Sequence, residues 1–256
     1  MLTINISPSE IGIFLAVLLR MSIVLFMTPV FSSTQIPQTI KAIIALTLAA
    51  TLYFLLRKTV APIPFDLASA VRIVIGEIVF GVVISLSFLI IFAAFQFAGE
   101  LLSFQMGFGM AQVVDPQSGA QVTVFSSLFQ LVATLLFLNL NGHHLVLKAL
   151  VESFATVPVG EFTLTSNTFS KMILLSGQLF VIGIKMAAPV MVVLFLSHVG
   201  LGLMAKFAPE INILIVSFPL TIILGVLFLG FSVSIWGNAM EHYLGSLFHF
   251  LKTLTG

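Results

Sequence analysis

A chain of 256 residues that is 59% hydrophobic and only 7% charged has too little polar surface for a soluble domain, in which about a quarter of residues carry charge. Its net charge of +1, from ten scattered basic residues, presents no basic face and excludes nucleic acid as a partner. With no cysteine there is no disulfide framework, thiolate metal site or cysteine nucleophile.

What remains is an all-α integral membrane or membrane-complex protein, built as one multi-helix unit of about six apolar segments. The N-terminal run MLTINISPSEIGIF lacks a basic region and meets Glu10 before its apolar stretch, so it reads as retained and not as a cleaved signal. Ser7, Pro8, Ser9 and Glu10 form a helix-start pattern, and the apolar window over 11–30 that follows is interrupted by Arg20. Pro29 and the run 31–37 break it. A second window covers 38–56 with Lys41 in its first turn, closed by Arg57, Lys58, Pro62 and Pro64. The third, 73–107, contains no proline. As one helix it would extend about 50 Å against about 30 Å of hydrocarbon, so it either breaks or lies partly outside lipid. One face carries Glu77, Gly81, Ser85, Phe88, Phe92, Gln96, Gly99, Ser103 and Gly107, in helical steps of four and three. Such a stripe is either a close-packing surface between helices or the wall of a water-lined path.

The stretch 99–144 lies within the longest interval free of Lys and Arg and combines turn formers with strongly apolar flanks. Phe104, Met106, Phe108 and Met110 alternate with Gln105, Gly107 and Gly109, placing bulky, deformable side chains on a backbone that bends at every second residue. Val113 and Val114 extend the apolar set, Asp115 and Pro116 set a turn, and Gly119 is a further bending point. These residues are suited to a soft seal. They equally suit a re-entrant or surface loop packed against its neighbours.

Beyond it an uncharged window covers 122–140, ending in Asn139, Leu140, Asn141, Gly142, His143 and His144. A polar linker at 157–170 follows. Two windows at 172–197 and 211–236 read as a hairpin turning at 206–210, with Lys206 and Pro209 in the turn. Gly200, Gly202 and Gly225 allow close helix approach, while Pro189 and Pro219 introduce kinks. The tail, 241–256, reads as a short amphipathic end.

Distributing basic residues over six spans puts Arg57, Lys58, Arg72, Lys148, Lys171 and Lys252 on one side and Lys41 and Lys206 on the other, which favours a cytoplasmic location for the first group. Arg20, Glu77, Glu100 and Lys185 fall in or beside apolar windows, where each costs about 2.5 to 3.5 kcal/mol to insert. The chain has 26 Phe but only Trp236, Tyr53 and Tyr243 for an interfacial aromatic belt. Both features predict shielding from lipid by protein partners. Enzyme chemistry finds no footing. Asp66 and Asp115 are the only aspartates and sit outside apolar spans, the adjacent His143 and His144 are expected to point apart, and neither HExxH nor a phosphate-binding Gly-x-x-x-x-Gly-Lys occurs. No catalytic residue, metal or cofactor is assigned.

Several strings together resemble the FliR family, whose injectisome relatives are the SctT proteins. They are Gly107-Phe108, Val114-Asp115-Pro116-Gln117-Ser118-Gly119 with Gln121, Asn141-Gly142-His143-His144, Ser153-Phe154 and Val157-Pro158-Val159-Gly160. Near the start Pro29-Val30-Phe31, Ile36-Pro37 and Lys41 agree, as do Leu203-Met204-Ala205-Lys206, Pro209, Asn212 and Phe218-Pro219-Leu220 near the end. Glu210 and Thr221 depart from the residues usual there. The resemblance implies a core subunit of the flagellar type III export gate in the bacterial inner membrane. It would assemble with FliP and FliQ, be contacted by FlhB and FlhA, and pass unfolded flagellar proteins while touching membrane lipid. It further implies a FliP-like part over 1–165, a FliQ-like hairpin and tail over 166–256, and a channel plug over 104–124. The alternatives are an SctT-type injectisome subunit, or a secondary transporter with Glu77, Glu100 and Lys185 as its midplane candidates.

Overall fold

The computed structural model describes residues 7–32, 36–56, 66–108 and 123–253, among which there is no strand. The helices are α1 (Pro8–Met27), α2 (Pro29–Ser32), α3 (Gln38–Leu56), α4 (Leu67–Gln105), α5 (Val124–Asn139), α6 (Gly142–Thr156), α7 (Ser166–Phe207) and α8 (Ile213–Thr253). Five of them (α1, α3, α4, α7 and α8) are long and apolar enough to cross a membrane, and α5 with α6 adds a sixth if the pair counts as one span. This is an all-α membrane protein.

Local chemistry explains where the helices begin. Ser7 caps α1 through a capping box, its hydroxyl accepting from the Glu10 amide while the Glu10 carboxylate accepts from the Ser7 amide. Asp66 precedes α4 and accepts from the Ser69 amide and hydroxyl. The Ser69 hydroxyl holds the Asp66 carboxyl below its ordinary range. This cap is therefore formed at neutral pH and fades only as pH falls through that lowered value. Thr123 caps α5 by accepting from the Ser126 amide at 3.1 Å.

The long window does not break. The 39 residues of α4 run unbroken for about 58 Å, and the 42 and 41 residues of α7 and α8 for about 60 Å each, twice the hydrocarbon thickness. Pro189 and Pro219 lie inside α7 and α8 without ending them, and residues 241–253 are continuous with α8 instead of a separate tail. Sequence periodicity missed α6, a short helix whose Lys148 and Glu152 pair across one turn at 3.9 Å.

The helices form two compact units that interleave along the chain. The first draws on 1–89, 141–176 and 244–256. Here α1 packs on α3, with Ile13, Ala16, Val17, Met21 and Val24 buried on α1 and Ala45, Ala49 and Leu52 on α3. These positions recur at three- and four-residue steps, the apolar stripe of a helix facing its neighbour. Lys41, in the first turn of α3, is buried and donates to the Ser32 carbonyl at 3.0 Å, which absorbs an orphan acceptor at the end of α2.

The second unit draws on 90–140 and 177–243, and its core is aromatic. The Phe92 and Phe137 rings meet at a tilt with centroids 5.4 Å apart, and the Trp236 ring centroid lies 4.5 Å from that of Phe129 and 6.3 Å from that of Phe95. Trp236 is 2% exposed and its Nε1 donates to the Met186 carbonyl at 3.1 Å, so the chain's single tryptophan belongs to the core of this unit. Trp236→Phe, which keeps a ring but removes the donor, is expected to cost about 1 kcal/mol. Trp236→Ala, which empties the site, should cost about 3–5 kcal/mol. Denaturant midpoints of the detergent-extracted complex measure both.

Candidate functional site

Two constellations gather the residues that sequence singled out. The first is a buried ion pair in the first unit. Arg20 on α1 and Glu77 on α4 are 0% and 1% exposed, and they meet in a two-pronged fork, Nε donating to Oε2 and Nη2 to Oε1 at 2.8 Å. The remaining guanidinium protons are also used. Nη1 donates to Ser153 Oγ at 3.1 Å, and both Nη1 and Nη2 reach the Val157 carbonyl at 3.3 Å. Glu77 Oε1 accepts in addition from the Gly160 amide at 3.0 Å. The guanidinium plane lies 4.1 Å from the Phe154 ring and 4.6 Å from the Phe80 ring, which recovers part of its lost hydration. Two of the four intramembrane charges expected to need partner subunits are thus satisfied within the chain. Gly160 completes the node with φ at +74°, and a side chain there would stand 3.0 Å from Ile73 Cα, so only glycine fits.

Along the α4 stripe, Glu77 belongs to that node. A Cβ at Gly81 would meet Ile23, and buried Ser85 returns its hydroxyl to the Gly81 carbonyl at 2.7 Å. In the second unit Gly99 lies against the α5 backbone, where a Cβ would stand 2.8 Å from Ser126 Cα. Ser103 is buried with no partner for its hydroxyl among the described residues, and Gln96 donates to Glu100 at 3.1 Å on an exposed edge.

The second constellation, in the second unit, is the root of the central stretch. There α4 ends in a Schellman cap: Gly107 adopts φ of +90°, the Phe108 amide donates to the Ser103 carbonyl at 3.0 Å and the Gly107 amide to the Phe104 carbonyl at 3.2 Å. Phe104 projects outward at 73% exposure, whereas Met106 is 1% exposed. The Met106 side chain lies in a notch at Gly225 of α8, the Phe218 ring covers Gly107, and Phe108 packs on Phe125 at 5.2 Å. Thr221, buried, places its hydroxyl 2.9 Å from the Ser217 carbonyl and 3.4 Å from that of Met106. Gly109, Met110, Val113, Val114, Asp115, Pro116 and Gly119 lie outside the described residues.

Of the hairpin residues, Gly225 meets Met106 on α4, while Gly200 and Gly202 on α7 face open space. Lys206, Pro209 and Pro219 are exposed, the first two at the α7–α8 turn. Lys185 and Glu100 are exposed on apolar helices. The rings of His143 and His144 do not point apart as expected; their centroids are 4.2 Å apart. Among the described residues no three His, Asp or Glu side chains cluster to hold a metal. Sequence reasoning assigned no role to Ser153, Phe154, Val157 and Gly160. The signal for them was present, since Arg20 and Glu77 are opposite charges in apolar helices and each needs a partner.

Residues 11–247 match the family described as bacterial export proteins, family 1. The chain belongs to this family. Among its relatives are flagellar biosynthetic proteins FliR. That of Escherichia coli K12 is 28% identical over 93% of this chain and 90% of its own length. That of Pectobacterium carotovorum is 30% identical over 88% and 86%, and that of Bacillus subtilis 31% over 82% and 81%. In this export-family chain the strings that first suggested FliR acquire physical roles, because Ser153, Phe154, Val157 and Gly160 all converge on one buried ion pair.

Arg20→Gln leaves Glu77 buried without its counter-charge and is expected to destabilise the chain by about 3–5 kcal/mol. Arg20→Met combined with Glu77→Met removes both charges and recovers much of that loss. Steady-state levels of the chain in membranes, with urea midpoints after extraction, compare the two variants.

Proposed function

We propose that this chain is a core subunit of the flagellar type III protein export gate in the bacterial inner membrane, assembling with FliP and FliQ around a passage for unfolded flagellar proteins and contacted by FlhB and FlhA. What supports this most is the likeness to FliR proteins along nearly the full length of both chains. The physical surface agrees. Helices α7 and α8 carry exposed large apolar residues such as Phe169, Ile184, Phe195, Phe207, Ile223 and Phe231. On α7 these extend over about 57 Å, more than a bilayer covers, so part of the face is suited to protein. Lys185 and Glu100, exposed on apolar helices, suit contacts with neighbouring subunits or water. In this reading 1–165 is the FliP-like part and 166–256 the FliQ-like hairpin and tail, and the role is structural, not enzymatic. That these relatives are flagellar biosynthetic proteins favours the flagellar assembly over an injectisome. A transporter reading loses Glu77, whose carboxylate is consumed by Arg20 and the Gly160 amide.

In the same reading 104–124 closes the passage at rest. A narrow apolar neck excludes water and ions, and Met and Phe side chains rearrange around a segment pushed through it. Deleting 109–119 in the assembled gate should leave assembly intact while membrane ion leak rises. Leak and export are measured separately in inverted vesicles; an assembled deletion gate that stays ion-tight contradicts the closure role.

A further inference from the structure

The contacts at the end of α4 point to a function for α8 that sequence did not suggest. Met106 is the last residue before the glycine of the Schellman cap and carries the central stretch onward. A Cβ built at Gly225 would collide with Met106 Cε and stand 2.8 Å from its Sδ and 3.2 Å from its Cγ, so the thioether lies along the α8 backbone in space that only a glycine leaves. Phe218 closes over Gly107, where a side chain would meet both a positive φ and the Phe218 ring. Thr221 lies between, its hydroxyl bonded chiefly to Ser217 and at the limit of reach of the Met106 carbonyl.

Pro219 falls between these contacts. It has no amide to offer the Ile215 carbonyl and weakens the helix at that turn. Bending there changes the separation of Phe218 from Gly225, and with it the fit around Met106 and Gly107. Two neighbouring polar atoms, Ser103 Oγ and Gln105 Oε1, are buried with no hydrogen-bond partner among the described residues. A buried polar atom left so is a cost that contact with water would relieve. The seated state is held by packing and opposed by unmet hydrogen bonding, the balance expected of an element that must release.

We propose that the α8 turn from Phe218 to Gly225 is a latch for the root of the central stretch, with the Met106 side chain as its bolt, so that opening requires Met106 to leave the Gly225 notch. This rests on the closure role proposed for 104–124 and adds what holds that segment shut.

Since the chain contains no cysteine, Met106→Cys with Gly225→Cys introduces its only thiol pair. The 3.2 Å between a Cβ at 225 and Met106 Cγ places the two cysteine Cβ atoms near the separation a disulfide spans, about 3.5–4.5 Å. In assembled gates treated with diamide the disulfide should form, flagellin export into inverted vesicles should fall at least about ten-fold, and dithiothreitol should restore it. Failure of the disulfide to form, or undiminished export through gates in which it has formed, overturns the latch. Gly225→Ala gives an independent reading, because it displaces Met106 Cε with the smallest change. It should raise ion leak, and combined with Met106→Ala it should leak no more than Met106→Ala alone, since both remove one contact. Fully additive leaks, or none from Gly225→Ala, also overturn it. If the 109–119 deletion leaks while the cross-linked gate exports, the latch fails and the closure role stands. An ion-tight deletion removes the closure role whatever the cross-link does.

Discussion

A charge placed in an apolar helix must find its counter-charge before the helix can settle, and in the first unit Arg20 and Glu77 meet that requirement for each other. The pair is directional as well as strong. A guanidinium fork accepts a carboxylate in one plane, and here its outer protons reach Ser153 and the Val157 carbonyl while the carboxylate takes the Gly160 amide. One interaction thereby fixes the rotation of α1 about its axis, the register of α4 and the path of the chain after α6. Apolar packing tolerates sliding and rotation. A buried fork does not, since any displacement exposes unpaired charge to a low dielectric.

The distribution of burial follows a second constraint. The membrane-capable window of α4 is 67% buried within its own chain, against 28% for α7 and 22% for α8. The polar and small residues of α4 are accordingly spent on intramolecular contacts, Gly81 on Ile23 and Gly99 on Ser126. The exposed apolar residues of α7 run from Phe169 to Phe207, about 57 Å and longer than a bilayer is thick, with Lys185 exposed among them. A face of that length cannot be covered by lipid alone.

Much of this was readable from residues. The helix start at Ser7 to Glu10, the windows that became α1, α3 and α5, the hairpin turn, read at 206–210 and found between Phe207 and Ile213, and the period of the α4 stripe all follow from local chemistry that sequence expresses directly. Three features did not. The helix α6 has mixed polarity, and its short amphipathic run was hidden behind the turn-forming Asn141 and Gly142; Asn141 does take a left-handed backbone, but one residue later the helix resumes. The pairing of Arg20 with Glu77 spans 57 residues, and linear spacing cannot choose among distant partners. Sequence alone assigns Gly225 to close approach within the hairpin or to a neighbouring subunit, because glycines on membrane helices commonly serve that end. Its partner proved to be Met106, a residue assigned to the central stretch.

The placement of Trp236 makes the second unit optically addressable. All indole emission from this chain arises at one position, shielded from solvent and flanked by Phe95 and Phe129, with its Nε1 proton held by a carbonyl instead of water. Such a fluorophore emits to the blue and resists aqueous quenchers, and a red shift or a gain in quenching marks the loosening of this unit specifically. The first unit contains no tryptophan and stays dark in the same measurement.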